Sequence, residues 1–404
     1  MPKSFLHRIR EACPTRAQWA KAGLAAVYGA AVVVFLVSIG RFYHKNTGFT
    51  TLIHFGSGFY DRTLPAVRYA RHATAIDASG YDGQFYAQLA VEPLLRNRAL
   101  EVALDGAPYR ARRILFSWTA YLLGLGQPEW ILKAYALQNI LVWLALAGLM
   151  LRWLPPSRPR NVLPWLGCLY GAGLLSSVHE SLLDGPSVLV MTLAILALEC
   201  HRKWVAIGLM GLSGLGRETN LAAGGLVVDR IPRTPTDLLS AAASLVAIAL
   251  PLVLWSMYVQ TVFPTHFDAK LNNFGLPFAG YLTKWSATVA EYRRAGWHSA
   301  ARFDIMVLVA LTVQAVFVAV RWDWKSPWWR MAAPCCVLFA TTSFIVWDGT
   351  PGAAPRVLLP LSFAFNVLVA KLPGRWFWPL VVAGNASVVT GLWIIEAPGL
   401  STLF

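Results

Sequence analysis

Two aspartates five residues apart, Asp77 and Asp82, stand in a polar stretch that runs into Gly80-Tyr81-Asp82-Gly83-Gln84-Phe85-Tyr86. A loop carboxylate here can accept a hydroxyl proton, or cap the following helix by accepting from its first free backbone N–H groups. Further on come Arg110, Arg112 and Arg113, then Arg217 beside Glu218, and finally Arg356. Guanidinium forks match the oxygens of a phosphate. A carboxylate with an arginine cluster is equipment for moving a group off a phosphate leaving group: one side takes a proton, the other holds the developing negative charge. Asp77 has the weaker local pattern and is the rival of Asp82 for the first role.

The elements that must position these residues are set by composition. Of 404 residues, 56% are hydrophobic and 14% charged, more apolar and less charged than a soluble domain. Apolar runs of about 20 residues, enough to cross roughly 30 Å of hydrocarbon, recur along the chain. The expectation is an all-α, polytopic membrane helix bundle of about 9–11 spans, a single transmembrane domain over 1–404. The net charge of +15 sits mostly in loops between apolar runs, where membrane topology explains it and a nucleic-acid partner is not needed.

Spans are expected at 22–40, 131–151, 163–178, 186–200, 237–262, 304–320, 331–347, 356–371 and 375–395. The run 114–127 reads as a half-span, and 204–228 as a broken element that goes up and comes back around Gly214 to Asn220. Residues 1–21, with Lys3, Arg8, Arg10, Arg16 and Lys21 against Glu11, read as a cytoplasmic leader to a retained first helix, not a cleaved signal. The basic loops 152–160, 201–203, 230–233, 321–330 and 371–375 then fall on the cytoplasmic side. Left outside are a large first loop, 41–113, carrying short amphipathic helices; 179–185; a second large loop, 263–303; 348–355; and the C-terminal tail. No soluble domain is expected after the membrane part.

Within the first loop, Phe85 and Leu89, and Tyr86 and Ala90, fall four apart, the stripe of a helix lying flat at the bilayer surface. Arginines on the outer side run against the positive-inside trend, which an anionic ligand would explain. Arg217 and Glu218 either neutralise each other or divide the work, Arg217 contacting phosphate and Glu218 orienting it. His179, Glu180 and Asp184 lack the helical spacing of a metal site, and no metal is predicted. Phe85, Tyr86, Trp285 and Trp297 suit either sugar stacking or an interfacial aromatic belt.

Tyr81-Asp82-Gly83-Gln84-Phe85-Tyr86, the pair Arg112-Arg113 ahead of the second span, the Gly214-to-Thr219 element and Arg356-Val357-Leu358-Leu359-Pro360-Leu361 resemble a group of bacterial membrane proteins of the GT-C glycosyltransferase superfamily. The resemblance implies an inverting enzyme of the bacterial plasma membrane that takes a sugar from a polyprenyl-phosphate donor to a glycan or lipid acceptor. It implies Asp82 as the catalytic carboxylate, and Arg112, Arg113 and Arg217 facing the lipid phosphate. Arg110, Glu218, Arg356, Gln84 and Tyr86 join the expected substrate site, and no cofactor is expected. The competing expectations are a transporter or flippase of a lipid-linked or amphipathic substrate, and a non-catalytic scaffold.

Overall fold

The computed structural model describes residues 16–76, 78–264 and 271–397. Asp77, the rival carboxylate, lies outside the described residues. The chain is mostly helical; among those residues the one sheet is a two-residue parallel pairing of Phe55–Gly56 with Thr74–Ala75.

Among the described residues six helices are long and apolar enough to cross a membrane: Lys21–Gly40, Pro128–Arg152, Pro159–His179, Pro235–Val262, Ala301–Val320 and Phe377–Ile394. Only 22% of the first and 11% of the fourth are buried within the protein, as expected of helices whose outer faces meet lipid. The expected count of 9–11 spans is larger, and the difference lies in helices that are too short. Asp184–Glu199 has 16 residues, Pro327–Thr341 has 15 and Leu359–Val369 has 11. At 1.5 Å per residue these reach about 16–24 Å, short of roughly 30 Å of hydrocarbon. They sit inside the bundle, and every residue of Leu359–Val369 except Ser362 is buried. An interior helix is solvated by its neighbours and need not match the bilayer.

The two irregular elements take the expected forms. Leu115–Leu123 is a short helix that turns at Gly124 and packs against Pro128–Leu149. Lys203–Gly216 breaks at an extended Arg217, and the chain returns along it as the 3₁₀ run Glu218–Val227. Asn220 Nδ2 donates to the Ser213 carbonyl at 3.0 Å across the break, supplying a polar partner where the regular ladder stops.

Several loops are joined by side-chain contacts. Arg160 bonds the Leu372 carbonyl, Arg330 bonds the Leu226 carbonyl at 2.9 Å and Arg152 faces Glu199. Elsewhere Arg41 meets Glu396, Arg113 meets Glu218 and Arg356 meets Tyr81.

The first large loop is a folded cap. Its residues Ile53, Phe55, Leu64, Val67, Phe85, Leu89 and Leu100 form a hydrophobic cluster with Ile131, Leu132 and Tyr135 of the second long helix. The helix expected to lie flat at the surface, Gly83–Val91, is buried at every position from Gly83 to Ala90, so its two stripes pack into the cap and the bundle beneath. Buried Gln88 staples the loop from within: Oε1 accepts from Leu64 N at 2.9 Å and Nε2 donates to Ala103 O at 3.0 Å.

Candidate active site

Glycines bring the polar groups together by letting backbones touch. A Cβ on Gly83 would stand 2.5 Å from the Glu180 carbonyl oxygen and 2.8 Å from that of Ile53; one on Gly173 would stand 2.1 Å from the Pro355 carbonyl oxygen. Only glycine fits such approaches. The first presses the Asp82 turn onto the end of helix Ala172–His179, and the second presses the Arg356 turn onto the start of that helix.

Asp82 immediately precedes Gly83–Val91, yet its side chain makes no capping hydrogen bond. Its Oδ1 instead accepts from Arg110 Nη2 at 2.6 Å, while Asp105 grips the same guanidinium at 2.7 and 2.8 Å. Burial by itself favours the protonated carboxyl. Arg110, with Arg356 and Arg113 behind it, outweighs burial and holds Asp82 below the usual carboxylate range. Asp82 is thereby a good hydrogen-bond acceptor and a weak base.

Arg113 donates to Glu218 through Nε at 2.7 Å and Nη2 at 2.6 Å, and to the Tyr109 hydroxyl at 2.6 Å. The Tyr86 hydroxyl accepts from both Arg113, at 3.0 Å, and Arg110, at 3.2 Å. Arg217 pairs with Asp184, and Arg356 approaches the other oxygen of that carboxylate at 3.9 Å while donating to the Tyr81 hydroxyl at 2.9 Å. The neighbours Arg217 and Glu218 thus do not neutralise each other: the extended backbone at Arg217 sends the two side chains to different partners.

These groups enclose a cavity of about 300 Å³. Its charged lining is Arg110, Arg112, Arg113, Arg217 and Arg356 against Asp82, Asp184 and Glu218, five cations to three anions. Asp105 adds a fourth anion behind Arg110. Leu182, Leu183, Phe274, Leu338, Ile345, Val346, Ala353 and Val357 supply the apolar part of the lining. Asn273 and Phe274 come from the second large loop and are tied down where Ser343 N donates to Asn273 O at 2.8 Å. The lining is thus both cationic and greasy.

Eight of the expected site residues, Asp82, Tyr86, Arg110, Arg112, Arg113, Arg217, Glu218 and Arg356, line this one cavity. Gln84 does not. Its Oε1 accepts from Gly56 N at 3.4 Å and its Nε2 donates to Ser79 O at 3.0 Å, so it holds the loop that carries Asp82. Trp285 packs on the core, Phe85 stands edge-on to Phe59, and Trp297 lies away from the cavity with an exposed ring. Of the four proposed stacking platforms only Tyr86 reaches the cavity. His179, Glu180 and Asp184 do not gather into a metal site: the His179 carbonyl meets His54 Nε2 at 3.1 Å, and Asp184 meets Arg217. Among the described residues no group of three or more His, Cys, Asp or Glu side chains is placed to hold a metal ion.

Tyr81, Tyr109 and Asp105 carry parts of this network that their sequence positions did not reveal. For Asp105 a signal existed, an acid five residues before Arg110 across a Gly-Ala-Pro turn. No protein-family model, curated protein or solved structure matches this chain.

Proposed function

We propose that this protein is a membrane-embedded transferase that moves a sugar from a polyprenyl-phosphate donor to a hydroxyl group of a glycan or lipid acceptor, on the extracytoplasmic face of a bacterial plasma membrane. The observation that carries this reading is the mixed lining of one cavity: guanidiniums suited to a phosphate stand together with apolar side chains suited to a lipid chain. A soluble anion would have no use for the apolar part of that lining, and a neutral lipid none for the cationic part.

Excess positive charge is concentrated where Arg217 and Arg356 share the single carboxylate of Asp184. That is where the donor phosphate binds in this reading, and the guanidiniums stabilise the charge that grows on it as the sugar leaves. Asp82, 38% exposed on its side chain, receives the acceptor hydroxyl as a hydrogen-bond acceptor. In-line attack from that side inverts the anomeric centre.

The test is incubation of the purified protein in liposomes with a panel of polyprenyl-phosphate hexoses and pentoses and crude membrane acceptors, with free polyprenyl phosphate and glycosylated product read by mass spectrometry. Transfer with at least one donor is expected, reduced about 10- to 100-fold in Asp82→Asn, the loss of one hydrogen bond to a charged group. Movement of the lipid-linked sugar between leaflets with no covalent product would replace this reading with a flippase.

A further inference from the structure

Asp184 opens helix Asp184–Glu199 with its carboxylate only 3% exposed, lines the cavity, and faces both arginines that the reading above gives to the donor phosphate. One oxygen pairs with Arg217 and the other stands 3.9 Å from Arg356. The backbone that carries it is held against helix Ala172–His179. Gly185 N donates to Ser177 Oγ at 2.8 Å, and a Cβ on Gly185 would already stand 3.0 Å from Leu174 Cδ1. Asp184 therefore has no room to swing aside when a ligand arrives. A fixed carboxylate beside two phosphate-binding guanidiniums repels the same ligand that they attract.

Across the whole cluster the charges come close to balance. Arg110, Arg112, Arg113, Arg217 and Arg356 stand against Asp82, Asp184 and Glu218 in the lining and Asp105 behind Arg110, five positive charges to four negative, which leaves one. A ligand of charge −1 makes the cluster neutral. A second negative charge finds no partner there, and an unpaired charge in a largely buried place is costly.

We infer that Asp184 makes this site selective for a phosphodiester over a phosphomonoester. The selectivity rests on the transferase reading above and says which two molecules the site tells apart. The donor, a sugar phosphodiester, carries one negative charge, whereas the lipid phosphate left after transfer is a monoester with nearly two at pH 7. Arg217 and Arg356 hold the donor and stabilise the charge that grows on the departing phosphate. Asp184 keeps the doubly charged product from becoming the tightest ligand of the pair. Without it the two guanidiniums would favour the product, and product release would limit turnover.

The experiment titrates two lipids with the same polyprenyl chain, the phosphate monoester and its methyl phosphodiester, into the purified protein in mild detergent at pH 8, read by calorimetry. Neither carries a sugar, so turnover plays no part and the chain cancels in the ratio of the two affinities. Wild type is expected to bind the diester at least as tightly as the monoester. Asp184→Asn should shift the ratio toward the monoester by about tenfold or more, the worth of one interaction with a charged group. Asp184→Glu keeps the charge and should leave the ratio within about twofold of wild type. Tighter monoester binding in D184N is a gain that loosened structure would not produce. A wild type that prefers the monoester overturns the inference, and that measurement needs no variant to fold. A smaller shift in D184N, or the same shift in D184E, overturns it as well. The wild-type diester preference without sugar transfer from any donor would remove the transferase reading and leave the selectivity standing; transfer with a monoester preference would do the reverse, and a protein that binds neither lipid would remove both.

Discussion

Arg113 holds Glu218 in a two-pronged grip, Nε to Oε2 at 2.7 Å and Nη2 to Oε1 at 2.6 Å, between residues 105 positions apart. One comes from the exit of the first large loop and the other from the break in the Lys203-to-Val227 element. The pair ties the folded cap to the bundle, and both partners line the cavity. It is therefore at once a structural clasp and part of the charge pattern of the site.

Removing one partner of such a pair leaves the other charge poorly solvated. Arg113→Ala should destabilise the protein by about 3 kcal/mol, the low end of the range for a broken buried pair because Glu218 keeps some exposure. The double variant with Glu218→Ala should lose clearly less than the sum of the single changes. Thermal unfolding in a mild detergent measures both, and strict additivity would show that the clasp contributes nothing.

Arg356 and Gln84 should part company on ligand binding. Arg356→Gln is expected to weaken binding of polyprenyl phosphate about tenfold or more, the worth of one charge-assisted hydrogen bond. Gln84→Ala should leave that affinity within about twofold and lower the unfolding temperature, because it frees the Gly56 and Ser79 backbone groups that the amide satisfies. Titration calorimetry and thermal scans on the same preparations separate the two roles.

A methyl group at Gly83 has nowhere to go, since both nearest atoms are backbone carbonyl oxygens. Gly83→Ala should cost about 1–3 kcal/mol, the usual range for overpacking, and move Asp82 away from Glu180. Gly208→Ala, where no atom lies within 4 Å, is the control and should unfold at the wild-type temperature or above. Equal losses in both would mean that the Gly83 contact is not tight.

The raised pKa of Glu180 also sets a sign for stability. The folded-state value, about 7, lies above the 4.5 of an ordinary glutamate, so folding binds a proton in that interval. The stabilising share of this group is complete below pH 4.5 and is lost as pH rises through about 7. Glu180→Gln cannot ionise. Its unfolding temperature minus that of wild type should therefore increase between about pH 4.5 and pH 7 and level off above. A flat difference across a calorimetric pH series would place the Glu180 carboxyl at its ordinary value.

Much of the architecture was legible because membrane solvation writes itself into composition. The six long apolar helices, the short helix after Ile114 and the returning element at Gly214 to Asn220 follow from apolar run length and from the glycines and charges that interrupt it. The short interior helices were not legible as such: an apolar run facing protein looks the same as one facing lipid. The flat surface helix failed for a related reason. Its two stripes promised one apolar side, and the cap buries the whole of Gly83 to Ala90.

The sequence by itself determined that this is a chain of apolar helices whose connecting segments carry carboxylates and arginines, among them Asp82, Arg110, Arg112, Arg113, Arg217 and Arg356. Only the tertiary structure decided their partners. Adjacent Arg217 and Glu218 separate because an extended residue aims consecutive side chains in opposite directions; Gln84 turns inward to serve backbone groups. Asp82 meets Arg110, not its own helix N-terminus, and the Asp82 turn meets the Glu180 backbone because Gly83 lets two backbones touch. Which carboxylate keeps its charge and which holds a proton near neutrality depends on burial and on cations brought in from distant segments. That is a property of packing, and no local pattern of residues encodes it.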